Sequence, residues 1–371
     1  MRVRLLLIIS LAVLSGSVVA QADPDESKAV EKIELLGGHV ERHDNSVVRV
    51  WFDEKCRFGE KYFHVLKSLK NLKTLEFHNR HFEDGTKLTD AGVKDLKELK
   101  SLTTLSLRYA HITDAGAKEL CDLKNLTSLD LGMTKVTDAG VMELKELKNL
   151  TKLSLRNLRI SGAGLRELRE LEHLMDLDIG NAFVTDADLK SLRELKHLTT
   201  INLSRTRISD VGLKELAGLT NLNALHLNYA QITDVGLKEL RCLKNLTTLE
   251  IHGNKFTDAG LAELCGLTKL TTLSIGDSQI TDTGLKQLSE MKDLTDLSLW
   301  RTQITDEGLK ELAVFKNLTT LNISSTKITN AGTPELANLK NLTTLFLAPY
   351  QISKKELAVL TKSLPNLKIP Q

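Results

Sequence analysis

The side chains best suited to chemistry are His226, Glu250 and His252, since two imidazoles and a carboxylate are a common ligand set for a divalent metal. If each repeat interval carries one strand of a parallel sheet, Glu250 lies beside His226 at about 5 Å and His252 shares its face. A second grouping, His78, His81, Glu83 and Asp84, falls in the stretch HNRHFEDGTK, which reads as a polar surface loop. Neither is assigned as a metal site. A row of variable positions throws up such sets by chance, and no nucleophile or supporting acid accompanies them. GxSxG, P-loop, HExxH and Gly-rich dinucleotide motifs do not occur, so no catalytic residue and no cofactor is assigned, and a non-enzymatic chain is expected.

A second kind of side chain suits recognition rather than reaction. Arg108, Tyr109, Arg156, Arg205, Tyr229, Trp300 and Arg301, together with His226, Glu250 and His252, recur at a few fixed places in the chain, with His111, Arg159 and Arg207 nearby. Tyr, Trp and Arg are the usual anchors of protein interfaces, whereas surface residues that merely drift carry no such meaning. These residues are taken as the candidate ligand-binding set.

The elements that must hold them are set by a period. Leucine opens a unit at Leu102, Leu126 and Leu150, and continues at the same constant step to Leu342. Within the first unit, Leu102, Leu105 and Leu107 alternate as a short strand with its leucines inward, and Ile112 closes the turn. Thr113 or Asp114 is expected to cap a helix in which Leu120 and Leu123 return to the core. Counting from the opening leucine, places three, five, seven and eight are expected to face outward from the sheet. Place three is largely Thr and reads as scaffold, as at Thr104 and Thr248, while places five, seven, eight and ten vary and hold the candidate set.

A fixed period of this length with the pattern L-x-x-L-x-L is the mark of a repeat solenoid, and the chain resembles the leucine-rich-repeat family over nearly its whole length. The elements Ile232-Thr233-Asp234-Val235-Gly236-Leu237 and Ile280-Thr281-Asp282-Thr283-Gly284-Leu285 are similar to the bacterial TDAGLKEL-type repeats and, more distantly, to the ribonuclease-inhibitor-like, cysteine-containing subclass. The resemblance implies an α/β curved horseshoe, with a parallel sheet of about twelve strands on the concave face and helices on the convex face. It also implies binding of a protein or peptide through that concave face. Two departures weaken a carry-over from F-box adaptors of ubiquitin ligases. The ladder place that holds Cys or Asn in many relatives is mostly small here, as at Ala110 and Thr206, and no F-box-like module precedes the repeats.

The first 22 residues, with Arg2, Arg4 and an apolar run from Leu5 to Leu14, read as a cleavable signal peptide, which makes the mature chain secreted or periplasmic. Residues 23–46 read as an N-terminal cap and residues 47–341 as repeats, irregular at 47–71 and 72–101 and regular from 102. Residues 342–371 read as the last repeat and the C-terminal cap. Removing residues 1–20 takes away Arg2 and Arg4 and no acid, leaving 48 basic against 48 acidic residues, a balance that argues against a nucleic-acid partner. No integral membrane segment is expected after signal removal, and the interior is read as leucine and isoleucine rather than clustered rings. The four cysteines form no disulfide framework, with Cys242 and Cys265 the one pair near enough in register to bridge. The recurring Asn-Leu-Thr tripeptides match a glycosylation pattern but read as by-products of the repeat. The expected function is a binding scaffold. A structural, envelope-associated spacer or a glycan-binding protein is the alternative, and an adaptor role is a minor one.

Overall fold

The computed structural model describes residues 23–53, 56–77 and 88–370. The signal segment and the insertion HNRHFEDGTK, with its His78 and His81, lie outside these residues.

Among the described residues, fourteen strands make one sheet in strict chain order. From Ser46–Phe52 onward each strand pairs in parallel with the next, in a register that sets like place beside like place, for example Thr248, Leu249 and Glu250 beside Thr272, Leu273 and Ser274. Most strands span only three residues, such as Thr104–Ser106, which correspond to places three to five. The middle residue is buried in every unit, and so are the leucines at place one and, from Leu107 to Ile323, the leucines and isoleucines at place six, while Leu347 of the last unit is only partly buried. Helical turns return the chain behind the sheet. Some are α-helices, such as Asp210–Leu216, while others tighten to 3-10 geometry, such as Asp188–Glu194 and Gly308–Val314. So short a unit leaves little room for more.

The Thr-Asp-x-Gly element does more than cap. Thr233 is the N-cap of its helix, its hydroxyl accepting from Val235 N at 3.3 Å. Asp234 reaches forward instead: its carboxylate accepts from Thr257 N at 2.7 Å and from the Thr257 hydroxyl at 2.8 Å. Asp114, Asp138, Asp186, Asp210, Asp258 and Asp282 bind the next unit in the same way. The glycine follows from this ladder, because a Cβ on Gly236 would stand 2.2 Å from Asp210 Oδ1. A second ladder runs along the opposite end of the strands. Asn125, Asn149 and Asn341 donate their side-chain amides to the carbonyl 25 residues earlier, at 2.8, 2.8 and 2.7 Å. The Asn-Leu-Thr tripeptides recur because the asparagine ties unit to unit.

Both ends differ from the middle. Helix Pro24–Leu35, capped by Asp23 and started by proline, buries Ala29, Val30 and Ile33 over the first units. Behind it, Gly38–His43 pairs antiparallel with Ser46–Phe52. The reversal falls at Asp44 and Asn45, both left-handed at φ 48° and 65°, the conformation that a tight hairpin demands and that Asp and Asn tolerate. This hairpin strand is the main departure from the sequence expectation, and the sheet exceeds about twelve strands partly because of it. Clustered rings also occur, contrary to expectation: Phe52 stacks on Phe58 and Phe77 at 4.4 and 5.0 Å, with Phe63 beside Phe77. At the far end, helix Lys354–Ser363 buries Leu360, and Lys368 makes an isolated parallel bridge to Thr344 beyond the last strand. All four cysteines are free, with Cys242 and Cys265 exposed rather than bridged. Among the described residues no helix is long and apolar enough to cross a membrane.

Candidate functional site

Place eight is where the backbone departs from strand geometry. Strand alternation would turn place seven outward and place eight inward, yet both carry large polar side chains. The explanation is a left-handed residue at place eight of each regular unit before the last, including Tyr109, Arg205, Tyr229 and Arg301 at φ 65°, 58°, 54° and 53°. The conformation lets the N–H of Tyr229 reach the carbonyl of His252 at 2.9 Å, prolonging the parallel ladder beyond the strand. A non-glycine residue held there costs on the order of 1 kcal/mol or more. Valine, isoleucine and threonine are absent from this place in the regular units, as the same sterics require.

Most of the candidate set converges. Arg156, Arg205, His226, Tyr229, Glu250 and His252 line one polar cleft of about 310 Å³ at the turn edge of the sheet. His226 Nδ1 lies 3.0 Å from Glu250 Oε2, which also accepts from Asn228 Nδ2 at 2.8 Å. The hydrogen bond from His226, aided by Asn228, outweighs burial and holds the Glu250 carboxyl at about 2. Burial pushes His252 below the ordinary imidazole value. His252 Nδ1 is 3.2 Å from the Ser274 hydroxyl, and the backbone N–H of His252 donates to Asn228 Oδ1 at 3.1 Å.

Rings extend the cleft sideways. Tyr229 meets His252 edge-on at 5.1 Å, and His252 meets Trp300 at 5.8 Å. The Arg205 guanidinium lies over Tyr229 at 4.3 Å and Arg301 over Trp300 at 5.6 Å. Arg108 and Tyr109 pair with each other at 5.3 Å and do not join this group.

Three glycines explain the convergence. A Cβ on Gly180 would stand 2.7 Å from Arg156 Nη1, one on Gly253 would stand 2.4 Å from Tyr229 Cδ1, and one on Gly276 would stand 2.3 Å from Trp300 Cδ1. Each glycine gives a large neighbour on the adjoining strand room to lie flat, which brings Tyr229 and Trp300 to His252 from opposite sides. Sequence reading picked the large residues and passed over these glycines, as it did Asn202, Ser204 and Asn228, which also line the cleft. The available signal was glycine at a variable place, outside the Thr-Asp-x-Gly element. The set His226, Glu250 and His252 lies close together, but among the described residues no group of three or more His, Cys, Asp or Glu is arranged to hold a metal.

Leucine-rich-repeat family models match residues 98–121, 122–145, 196–256, 266–289, 291–313 and 316–333. The chain is a leucine-rich-repeat protein. Among solved structures it is similar to an internalin (inlF) from Listeria monocytogenes, with a TM-score of 0.62, 25% identity and 94% of each chain covered. A leucine-rich-repeat protein of Leptospira interrogans matches at a TM-score of 0.48 and 22% identity over 90% of this chain and 93% of the other. No curated protein matches. Leucine-rich-repeat scaffolds of this kind typically bind other proteins.

Proposed function

We propose that this leucine-rich-repeat protein is exported and non-enzymatic, and that it holds a protein or peptide partner on the concave face of its sheet, centred on Tyr229, His252 and Trp300. The observation that carries the reading is the pair of glycines, Gly253 and Gly276, that seat those two rings against one histidine. A preformed ring cluster loses little side-chain freedom on binding, which is what an interface anchor needs. The apolar run from Leu5 to Leu14 behind Arg2 and Arg4 supports export, and the leucine-rich-repeat scaffold supports a binding role.

The test is a pull-down from extracellular and envelope fractions with residues 21–371, beside a Tyr229→Ala, Trp300→Ala double variant. Capture of a partner by the parent alone is expected. Equal capture by both moves the site off this face, and capture by neither favours a passive spacer.

A further inference from the structure

We infer that the cleft between Arg156 and Arg205 receives a carboxylate side chain, so that the partner presents an acidic peptide segment; this deepens the proposed concave-face binding and rests on it. The two arginines stand on strands two apart, roughly 10 Å by sheet spacing, and the unit between them offers Gly180 at place seven, so the gap is roofed by no side chain at that place. Arg156 leans over that glycine and meets Asp178 only at 3.7 Å. Arg205 has the Tyr229 ring and, among the described residues, no carboxylate within ion-pair distance.

Three oxygens around the cleft are already taken. Asn202 Oδ1 accepts from Ser204 N at 2.9 Å, Asn228 Oδ1 accepts from His252 N at 3.1 Å, and Glu250 Oε2 accepts from both His226 and Asn228. The two guanidiniums meet only the Asp178 carboxylate at 3.7 Å and the Tyr229 ring, and a ligand that only accepts hydrogen bonds is what their remaining donors fit. The edge as a whole agrees. In the ten regular units that open at Leu102 through Leu318, places five, seven, eight and ten hold nine Lys or Arg against four acids, Asp130, Asp178, Glu250 and Asp277. The aspartates that follow in the ladder point their carboxylates at the threonines and glycines of the next unit.

The experiment uses the full mature chain against an array of immobilised random dodecamer peptides, with heparin as a second probe. The parent is expected to enrich peptides that carry Asp or Glu near an aromatic residue. An Arg156→Gln, Arg205→Gln double variant, checked for unchanged circular dichroism, should lose at least tenfold in affinity for a selected peptide. Replacing that peptide's acids by their amides should cause the same loss in the parent and none in the variant. Peptides enriched without acidic bias, and lost in the Tyr229→Ala, Trp300→Ala variant, would overturn the carboxylate assignment while leaving the concave-face reading standing. Binding of heparin alone would make the cleft a sulfate site and overturn the acidic-peptide assignment. No enrichment of any peptide would overturn both.

Discussion

Glu250 shows how one side chain is tuned by its neighbours. Its folded value of about 2 lies below the ordinary 4.5, so its charged form stabilises the fold. That contribution is fully present above about 4.5 and is lost as the pH falls through about 2. Glu250→Gln is therefore expected to be less stable than the parent at pH 6, with the gap closing toward pH 2; urea unfolding at a series of pH values reads it, and a constant gap would contradict the assignment. Gly276 makes a sharper case, because its Cβ would meet Trp300 at 2.3 Å without any strain from φ. In a Trp51→Phe background, which leaves Trp300 as the single tryptophan, Gly276→Ala should shift the emission of Trp300 toward the solvent-exposed value while unfolding changes little. An unmoved spectrum would mean that the ring does not rest on His252.

Within an element, the aspartate ladder and the leucine layer carry different parts of the stability. Asp234→Ala removes acceptors of two hydrogen bonds from Thr257, one to its amide and one to its hydroxyl, and should cost about 1–3 kcal/mol by leaving those donors unpaired. Asp234→Asn should cost less, since Asn330 at the same place still accepts from Ser353 N at 2.8 Å. Leu225 is fully buried in its strand, and Leu225→Ala should cost about 2–5 kcal/mol with helix and strand content unchanged at low temperature. Denaturant unfolding ranks the three variants, and an Asp234→Ala cost equal to zero would make the ladder ornamental.

At the scale of the molecule each unit packs only on its neighbours, so the ends decide how the stack frays. Leu360, buried in the terminal helix, anchors the C-terminal cover of the sheet. Leu360→Ala should expose the amides of Thr344–Phe346 to hydrogen exchange well before those of Thr248–Glu250. Uniform loss of protection along the stack would show that the solenoid unfolds as one unit and that its end is not the weak point.

The sequence by itself determined the period, the buried leucines, the parallel register and the residues displayed along one edge, because those follow from a pattern that every unit restates within its own length. It also supplied most of the cleft: Arg156, Arg205, His226, Tyr229, Glu250 and His252 were legible as variable places in that register. The first hairpin was not, because Gly38–His43 stands outside the period and its turn at Asp44 and Asn45 is a local signal easily absorbed into a cap. Tertiary structure alone decided that Tyr229 and Trp300 meet at His252 while Tyr109 stays apart. Where a long side chain lies depends on the size of the residue on the next strand, and Gly253 and Gly276 acquire that meaning only once strands of successive units stand side by side.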